Sequence, residues 1–260
     1  MKKGFIYIAS ILILLLFYSF NVILKIYIPD EDFKRSQLAN TRVYKAYKEK
    51  IDSIDNLLLD KNISMNDYEI LLRVFKKEEI VELWAKNRNS DTFALVKNYK
   101  ICFSSGFLGP KRKQGDRQIP EGVYYINEFN PTSNYHLSLG ISYPNKSDSI
   151  LSHSNNLGGE IYIHGGCESI GCVPVTTRKI KELYVIALQA RYFGQRKIPV
   201  HIFPCKLSET NYKEISQCYN KTELTKFWGN LRSLYTYFDK FHSLPITQID
   251  KYGNYHFYPK

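Results

Sequence analysis

The period of hydrophobic and polar positions changes several times along the chain, and each change marks an element. After Lys2 and Lys3, the run Gly4 to Leu24 carries no charged residue. At ~1.5 Å per residue a helix of that length spans roughly 32 Å, the thickness of a bilayer core. The run is long for a cleavable signal, and no small-x-small site follows in Phe20-Asn21-Val22-Ile23-Leu24-Lys25. Residues 1–28 are therefore expected to form an uncleaved signal anchor, with a cleaved signal as the alternative. Lys2 and Lys3 favour an inside amino terminus, although Lys25, Lys34 and Arg35 weaken the asymmetry. Pro29-Asp30-Glu31-Asp32 reads as the break after this helix. From about Phe33 to Lys86 the pattern is polar and helical. Leu57 to Leu59, Tyr68, Leu71, Leu72 and Phe75 recur at spacings of three and four, and Ser64 is a candidate cap for a helix entered at Met65. Residues 29–90 are expected to form a helical stalk.

Near Ser90 the period shortens to two. Phe93 to Tyr99, Val123 to Ile126, Tyr135 to Leu139, Ile141 to Tyr143 and Glu160 to His164 read as strands. Ile198 to Phe203 is another, whose Pro199 favours an edge or a strand start. Gly106, Gly109-Pro110, Gly115-Asp116 and Pro120-Glu121-Gly122 are turn signals between them. Ile180, Leu183, Tyr184, Ala187 and Leu188 mark one apolar face of a helix capped by Thr176 or Thr177. Leu224, Phe227, Trp228, Leu231, Tyr235 and Phe238 mark a second helix, whose stripe is a packing face. This strand reading is compatible with a mainly β domain with flanking helices over 91–204, followed by a helical carboxyl-terminal extension over 205–260.

Composition narrows the picture. With 44% hydrophobic and 23% charged residues the chain is globular rather than disordered. The formal charge of +11 suits a polyanion, but the basic residues are spread along the chain and no nucleic-acid motif accompanies them. Five cysteines, Cys102, Cys167, Cys172, Cys205 and Cys218, leave at least one thiol unpaired in an oxidising compartment. A disulfide among Cys102, Cys167, Cys205 and Cys218 stays open, as does a set of buried small apolar thiols.

The chemistry concentrates in Ile161-Tyr162-Ile163-His164-Gly165-Gly166-Cys167-Glu168-Ser169-Ile170-Gly171-Cys172-Val173-Pro174. A histidine ends a strand, a glycine-bearing loop follows, and a cysteine precedes a helix. A thiol becomes a strong nucleophile on deprotonation, and a histidine within reach can take its proton and return it to an amine. Gly171 lets the backbone approach a substrate, and its amide is a candidate oxyanion donor. Three readings stay open on these residues alone: a thiol–imidazole pair, a glycine turn with two buried thiols, and an irregular zinc site of His164, Cys167 and Cys172, with His153 as a further ligand.

The stretch resembles the signature of L,D-transpeptidases with a YkuD-type catalytic domain, in which His-Gly is followed by Ser/Thr-x-Gly-Cys. His164-Gly165 and Ser169-Ile170-Gly171-Cys172 are the matching residues. Cys102 to Gly106, Leu108 to Lys111, Gly115 to Gly122, Tyr135-His136-Leu137 and Tyr143-Pro144-Asn145 resemble the YafK-like branch of murein L,D-transpeptidases. The resemblance runs from about Asp91 to Phe203. It implies a β-sandwich or barrel, Cys172 as nucleophile, His164 as proton donor and acceptor, and a thioester with a peptidoglycan stem peptide. An amine on a second stem or on a wall-linked protein would resolve that thioester, and no cofactor or metal is implied. Ser169 would orient the site. The chain departs from the wider family at Ile170, where a histidine is usual, and at Val173-Pro174-Val175, where an arginine is common. A substrate carboxylate must then meet another group, for which Arg178, Arg117, Lys111 and His136 are candidates. The same acyl-enzyme resolved by water would make a hydrolase, either a carboxypeptidase or a peptidoglycan–protein amidase. An idle wall-binding anchor protein is the non-enzymatic alternative. The expected location is the cell envelope, with the catalytic domain outside the cytoplasmic membrane.

Overall fold

The structure, a computed structural model, describes residues 29–259. Two helices open it, α1 (Glu31–Leu38) and α2 (Thr41–Leu59). Three antiparallel strands follow: β1 (Tyr68–Phe75), β2 (Ile80–Asn87) and β3 (Ala94–Lys100). Next come β4 (Gly122–Asn130), β5 (Ser138–Ile141), a short α3 (Lys146–Leu151), β6 (Tyr162–His164) and β7 (Val173–Pro174). α4 (Thr177–Tyr192) leads to β8 (Pro199–Phe203). The chain then forms α5 (Glu209–Tyr219), α6 (Thr222–Phe241) and a hairpin of β9 (Ile246–Ile249) and β10 (Tyr255–Tyr258).

The first eight strands form one sheet in the order β3-β2-β1-β8-β4-β5-β6-β7. β1–β8 and β6–β7 are parallel and the other ladders antiparallel. The sheet curls because β4 serves two partners. Gly122 to Tyr125 pair with β8, and from Ile126 onward the strand pairs with β5. An extra residue at Asn127 makes a bulge between Ile126 and Glu128, and such bulges bend a strand. The expected sandwich or barrel is therefore corrected: β3 and β7 are the two ends of one open, curled sheet.

The helical stalk is corrected as well. Residues 68–87 are two strands of the sheet, and α1 and α2 pack onto it. The spacing of Tyr68, Leu71, Leu72 and Phe75 looked helical because β1 is buried on both faces. Tyr68, Ile70, Leu72 and Val74 enter the main core with α2 and α4. Leu71 and Phe75 enter the clusters under α6, beside Phe238 and Tyr235. A strand buried on both sides loses its alternation and cannot be told from a buried helix by period alone. Ser64 accordingly lies in a turn, not at a helix start.

The layers follow. α2 contributes Val43, Ala46, Ile54 and Leu58 to the main core, and α4 contributes Ile180, Leu183, Tyr184, Ala187 and Leu188. Lys181 of α4 also pairs with Glu49 of α2. α6 covers the other face with Trp228, Leu231, Leu234, Tyr235 and Phe238. Pro199 starts β8, as its sequence position suggested, yet that strand is central, between β1 and β4. Among the described residues no helix is long and apolar enough to cross a membrane. That finding removes the membrane span from the fold as described, and the expected anchor over 1–28 lies outside the described residues.

Candidate active site

The candidate residues lie at the end of β6 and just before β7. The parallel register of these strands pairs Ile163 with Val173 and His164 with Pro174. Ile163 and Val173 are fully buried in the core. Side chains alternate along a strand, so His164 lies on the face away from buried Ile163, and Cys172 stands immediately before β7, the strand paired with β6. The two residues are eight apart in sequence, His164 at the end of β6 and Cys172 one residue before β7.

His164 is buried, with its Nδ1 2.5 Å from the Gly165 carbonyl oxygen. A carbonyl can only accept, so Nδ1 carries the proton and Nε2 presents its lone pair. The Tyr135 ring stacks on the imidazole, with centroids 4.4 Å apart and planes 26° apart. Burial pushes the His164 pKa below its ordinary value, and the Gly165 carbonyl partly opposes this. The Cys172 thiol donates to the Glu160 carbonyl at 3.6 Å. Burial pushes its pKa up. The Tyr162 backbone and Lys111 pull it down, and Glu160 pushes it up. Both shifts favour the uncharged forms, a thiol and an unprotonated imidazole.

Ser169 organises the turn between them. Its hydroxyl accepts from the amides of Gly171 at 3.2 Å and Cys172 at 2.8 Å, and donates to the Cys172 carbonyl at 2.9 Å. The Gly171 amide is thus engaged by Ser169 in this conformation. Gly171 has a φ of +131°, and a Cβ there would stand 3.1 Å from the Gln118 carbonyl. At Gly165 a Cβ would meet the Tyr135 carbonyl at 2.5 Å, so neither position tolerates a side chain.

Cys102 and Cys167 form a disulfide, with their Cα atoms 5.4 Å apart. It fastens the loop before Cys172 to the segment after β3, where the Cys102 amide also donates to Pro174 at 3.0 Å. Cys167 is therefore unavailable as a metal ligand, and among the described residues no three His, Cys, Asp or Glu side chains are arranged to hold an ion. Cys172, Cys205 and Cys218 are free thiols.

The sequence profile of the L,D-transpeptidase catalytic domain, YkuD, matches residues 70–202. The chain is 32% identical over 182 residues to the YafK protein of Escherichia coli (strain K12), an alignment covering 69% of this chain and 70% of that one. The chain belongs to the YkuD L,D-transpeptidase family. Two solved structures of the helical cell shape determining protein Pgp2 from Campylobacter jejuni also align. The K307A mutant does so at a TM-score of 0.43 and 19% identity, over 56% of this chain and 51% of that one. The unmutated protein aligns at 0.43 and 15%, over 71% and 73%. Bdellovibrio bacteriovorus Bd1075 aligns at 0.38 and 22%, over 59% and 55%. The chain thus spans about half the length of two of these three structures.

The L,D-transpeptidase match begins inside β1 and ends inside β8, which agrees with the corrected boundary of the domain. Within it, the other candidate residues scatter. Lys111 is buried, and its Nζ is held by the Lys113 carbonyl and by Asp116 at 2.7 Å. Arg117 is exposed, with a φ of +56°. Arg178 is exposed in the first turn of α4. Thr176 precedes that helix without a side-chain cap. His136 is half-buried, its pKa lowered by burial and then by Lys181 and Arg42 on the helical side. The residues that sequence reading passed over are Tyr135, the Gly165 and Glu160 carbonyls, and Asp116. Backbone carbonyls leave no trace in residue identity. Tyr135 reaches His164 only because the antiparallel β5–β6 register pairs Ser138 with His164.

Proposed function

We propose that this L,D-transpeptidase family member is a cysteine-dependent acyl-transfer enzyme acting on peptidoglycan stem peptides in the cell envelope. The observation that carries the reading is the parallel β6–β7 register, which sets His164 beside the strand that Cys172 leads into, with Nδ1 engaged by the Gly165 carbonyl and Nε2 left as the base. His164 Nε2 takes the thiol proton as Cys172 Sγ attacks the carbonyl of the third, diamino-acid residue. The tetrahedral oxyanion collapses, the C–N bond breaks, and His164 returns the proton to the departing terminal D-alanine. The thioester is then attacked by an amine, whose proton passes to His164 and on to the leaving thiolate. Gly171 would offer its amide to the oxyanion once the Ser169 hydroxyl turns away. Ser169 orients the turn. Arg178 and Arg117, both exposed, are the available partners for a stem carboxylate, with Lys111 and His136 acting from within the fold.

The test is incubation with purified muropeptides followed by mass spectrometry of the products. Cross-linked dimers support the transferase, and shortened monomers or released wall-linked protein move the second half-reaction to water. Cys172→Ala is expected to abolish both, and retained turnover would overturn the nucleophile assignment.

A further inference from the structure

The base His164 is nearly closed off, at 2% exposure, while Tyr135, whose ring stacks on it, is 40% exposed. An exposed ring covering a buried imidazole is a cap rather than core packing. Tyr135 belongs to the 131–137 loop between β4 and β5, and that loop seats on the turn after His164. The Gly165 amide donates to the Leu137 carbonyl at 3.3 Å, and a Cβ at Gly166 would meet the Tyr135 ring at 3.1 Å. The loop contains a non-glycine residue at positive φ, His136 at +80°, a conformation that persists only where the surroundings hold it.

What holds it comes from far away in sequence. Arg42, in the first turn of α2, donates through Nη1 to the Ser133 carbonyl at 2.8 Å and to the His136 carbonyl at 3.1 Å. The two carbonyls bracket Tyr135. α2 in turn is fixed to α4 by its core residues and by the Lys181–Glu49 pair. α4 starts at Thr177, whose Cα lies against Gly165. One frame therefore supports both sides of the His-Gly turn. Arg42 lies outside the stretch that matches the family profile, so this brace is an addition to the matched core.

We propose that Arg42 and Tyr135 are positioning residues for the base: the amino-terminal helix pair, through Arg42, holds the 131–137 loop so that the Tyr135 ring keeps the His164 imidazole in its working orientation. The proposal rests on His164 being the base, and its test separates the two ideas. The first readout needs no substrate: the His164 Hε1–Cε1 signal in a proton–carbon NMR spectrum, assigned by replacement of each of the six histidines. Stacking under Tyr135 shifts that signal upfield. Tyr135→Ala is expected to lose the shift, Tyr135→Phe to keep it, Arg42→Ala to lose part of it with broadening, and Arg42→Lys to restore most of it. The second readout is turnover of muropeptides. Arg42→Ala should lower kcat about tenfold with KM within about twofold, since misplacing a catalytic group costs rate more than binding. Arg42 is exposed, so Arg42→Ala should melt with the parent even if Tyr135→Ala misfolds. An Arg42→Ala protein with an unaltered His164 signal would overturn the proposal, as would an unaltered kcat. A Tyr135→Phe protein that keeps the signal and loses the rate would also overturn it, assigning Tyr135 a direct contact with substrate. If the parent turns over no muropeptide, the functional reading fails and the NMR arm still decides the brace.

Discussion

Removing Lys76 should damage this protein more than any surface change, and the structure gives the size of the effect. Lys76 and Glu121 are both buried, with Nζ 2.9 Å from Oε1. The ammonium also donates to the carbonyls of Gly109 at 2.7 Å and Ile119 at 3.0 Å. The carboxylate also accepts from the Gly109 amide and from Trp228 Nε1, each at 2.7 Å. Every proton of the ammonium is matched, so the pair is stable where it stands. Lys76→Met leaves a buried carboxylate with two neutral donors and two carbonyls with none. Breaking one side of such a pair costs about 3–5 kcal/mol. For a domain of this size that corresponds to a melting temperature lower by roughly 6–20 °C. Urea unfolding followed by far-ultraviolet circular dichroism measures it directly. The double variant Lys76→Met/Glu121→Gln should recover about 2 kcal/mol of the loss, because the uncompensated charge is gone. A single-variant cost below about 1 kcal/mol, or a double variant as poor as the sum of its parts, would refute the reasoning. Activity should fall as well, since the segment pinned by this pair carries Gln118, whose carbonyl backs Gly171.

The thiols should separate under iodoacetamide: exposed Cys218 reacts first, Cys172 reacts slowly at neutral pH and faster as pH rises, and buried Cys205, pushed up to about 12, stays unmodified. Fast labelling of Cys172 at pH 6, read by peptide mass spectrometry, would contradict a neutral resting pair. Cys102→Ser/Cys167→Ser opens a cross-link across 65 residues, so unfolding free energy should drop by up to about 4 kcal/mol, and reductant should shift the melting of the parent but not of the variant. Burial pushes Asp148 up from 3.8 to about 6, against the Asn145 amide and Arg112. The folded state therefore binds its proton more tightly than the unfolded one, and this contribution is complete below pH 3.8 and is lost as pH rises through about 6. Asp148→Asn should gain on the parent by roughly 3 kcal/mol across that window, and parallel stability–pH curves would exclude the mechanism.

How far the sequence could be read depended on whether a feature was local. The strand starting at Pro199 was legible from the alternation of Val200, His201 and Ile202 after a proline, and the helices over Ile180 to Leu188 and Leu224 to Phe238 from apolar residues three and four apart, even though β8 and α4 are buried nearly all round. β1 was not, because its two faces enter different clusters and the sum hides the period. The candidate residues Cys172 and His164 stood out as a short motif, and the β6–β7 register brings their chain segments side by side. The contacts around them were not legible, since the Tyr135 stacking, the Arg42 hydrogen bonds and the Cys102–Cys167 link depend on which distant segments the sheet brings side by side.

The place of β8 in the sheet also sets an order of assembly. β1, β2 and β3 are consecutive and can zip together as soon as they exist, and β4 with β5 likewise. β1 and β4 have no ladder with each other: both wait for β8, which pairs Leu72 with Val200 on one side and Tyr124 with Val200 on the other. Long-range pairing of this kind is slow, and until it happens two strand edges stand open to other chains. A chain made or delivered amino terminus first thus stays in two unjoined halves until about residue 203 is free, and any product truncated before Pro199 would carry both open edges for good.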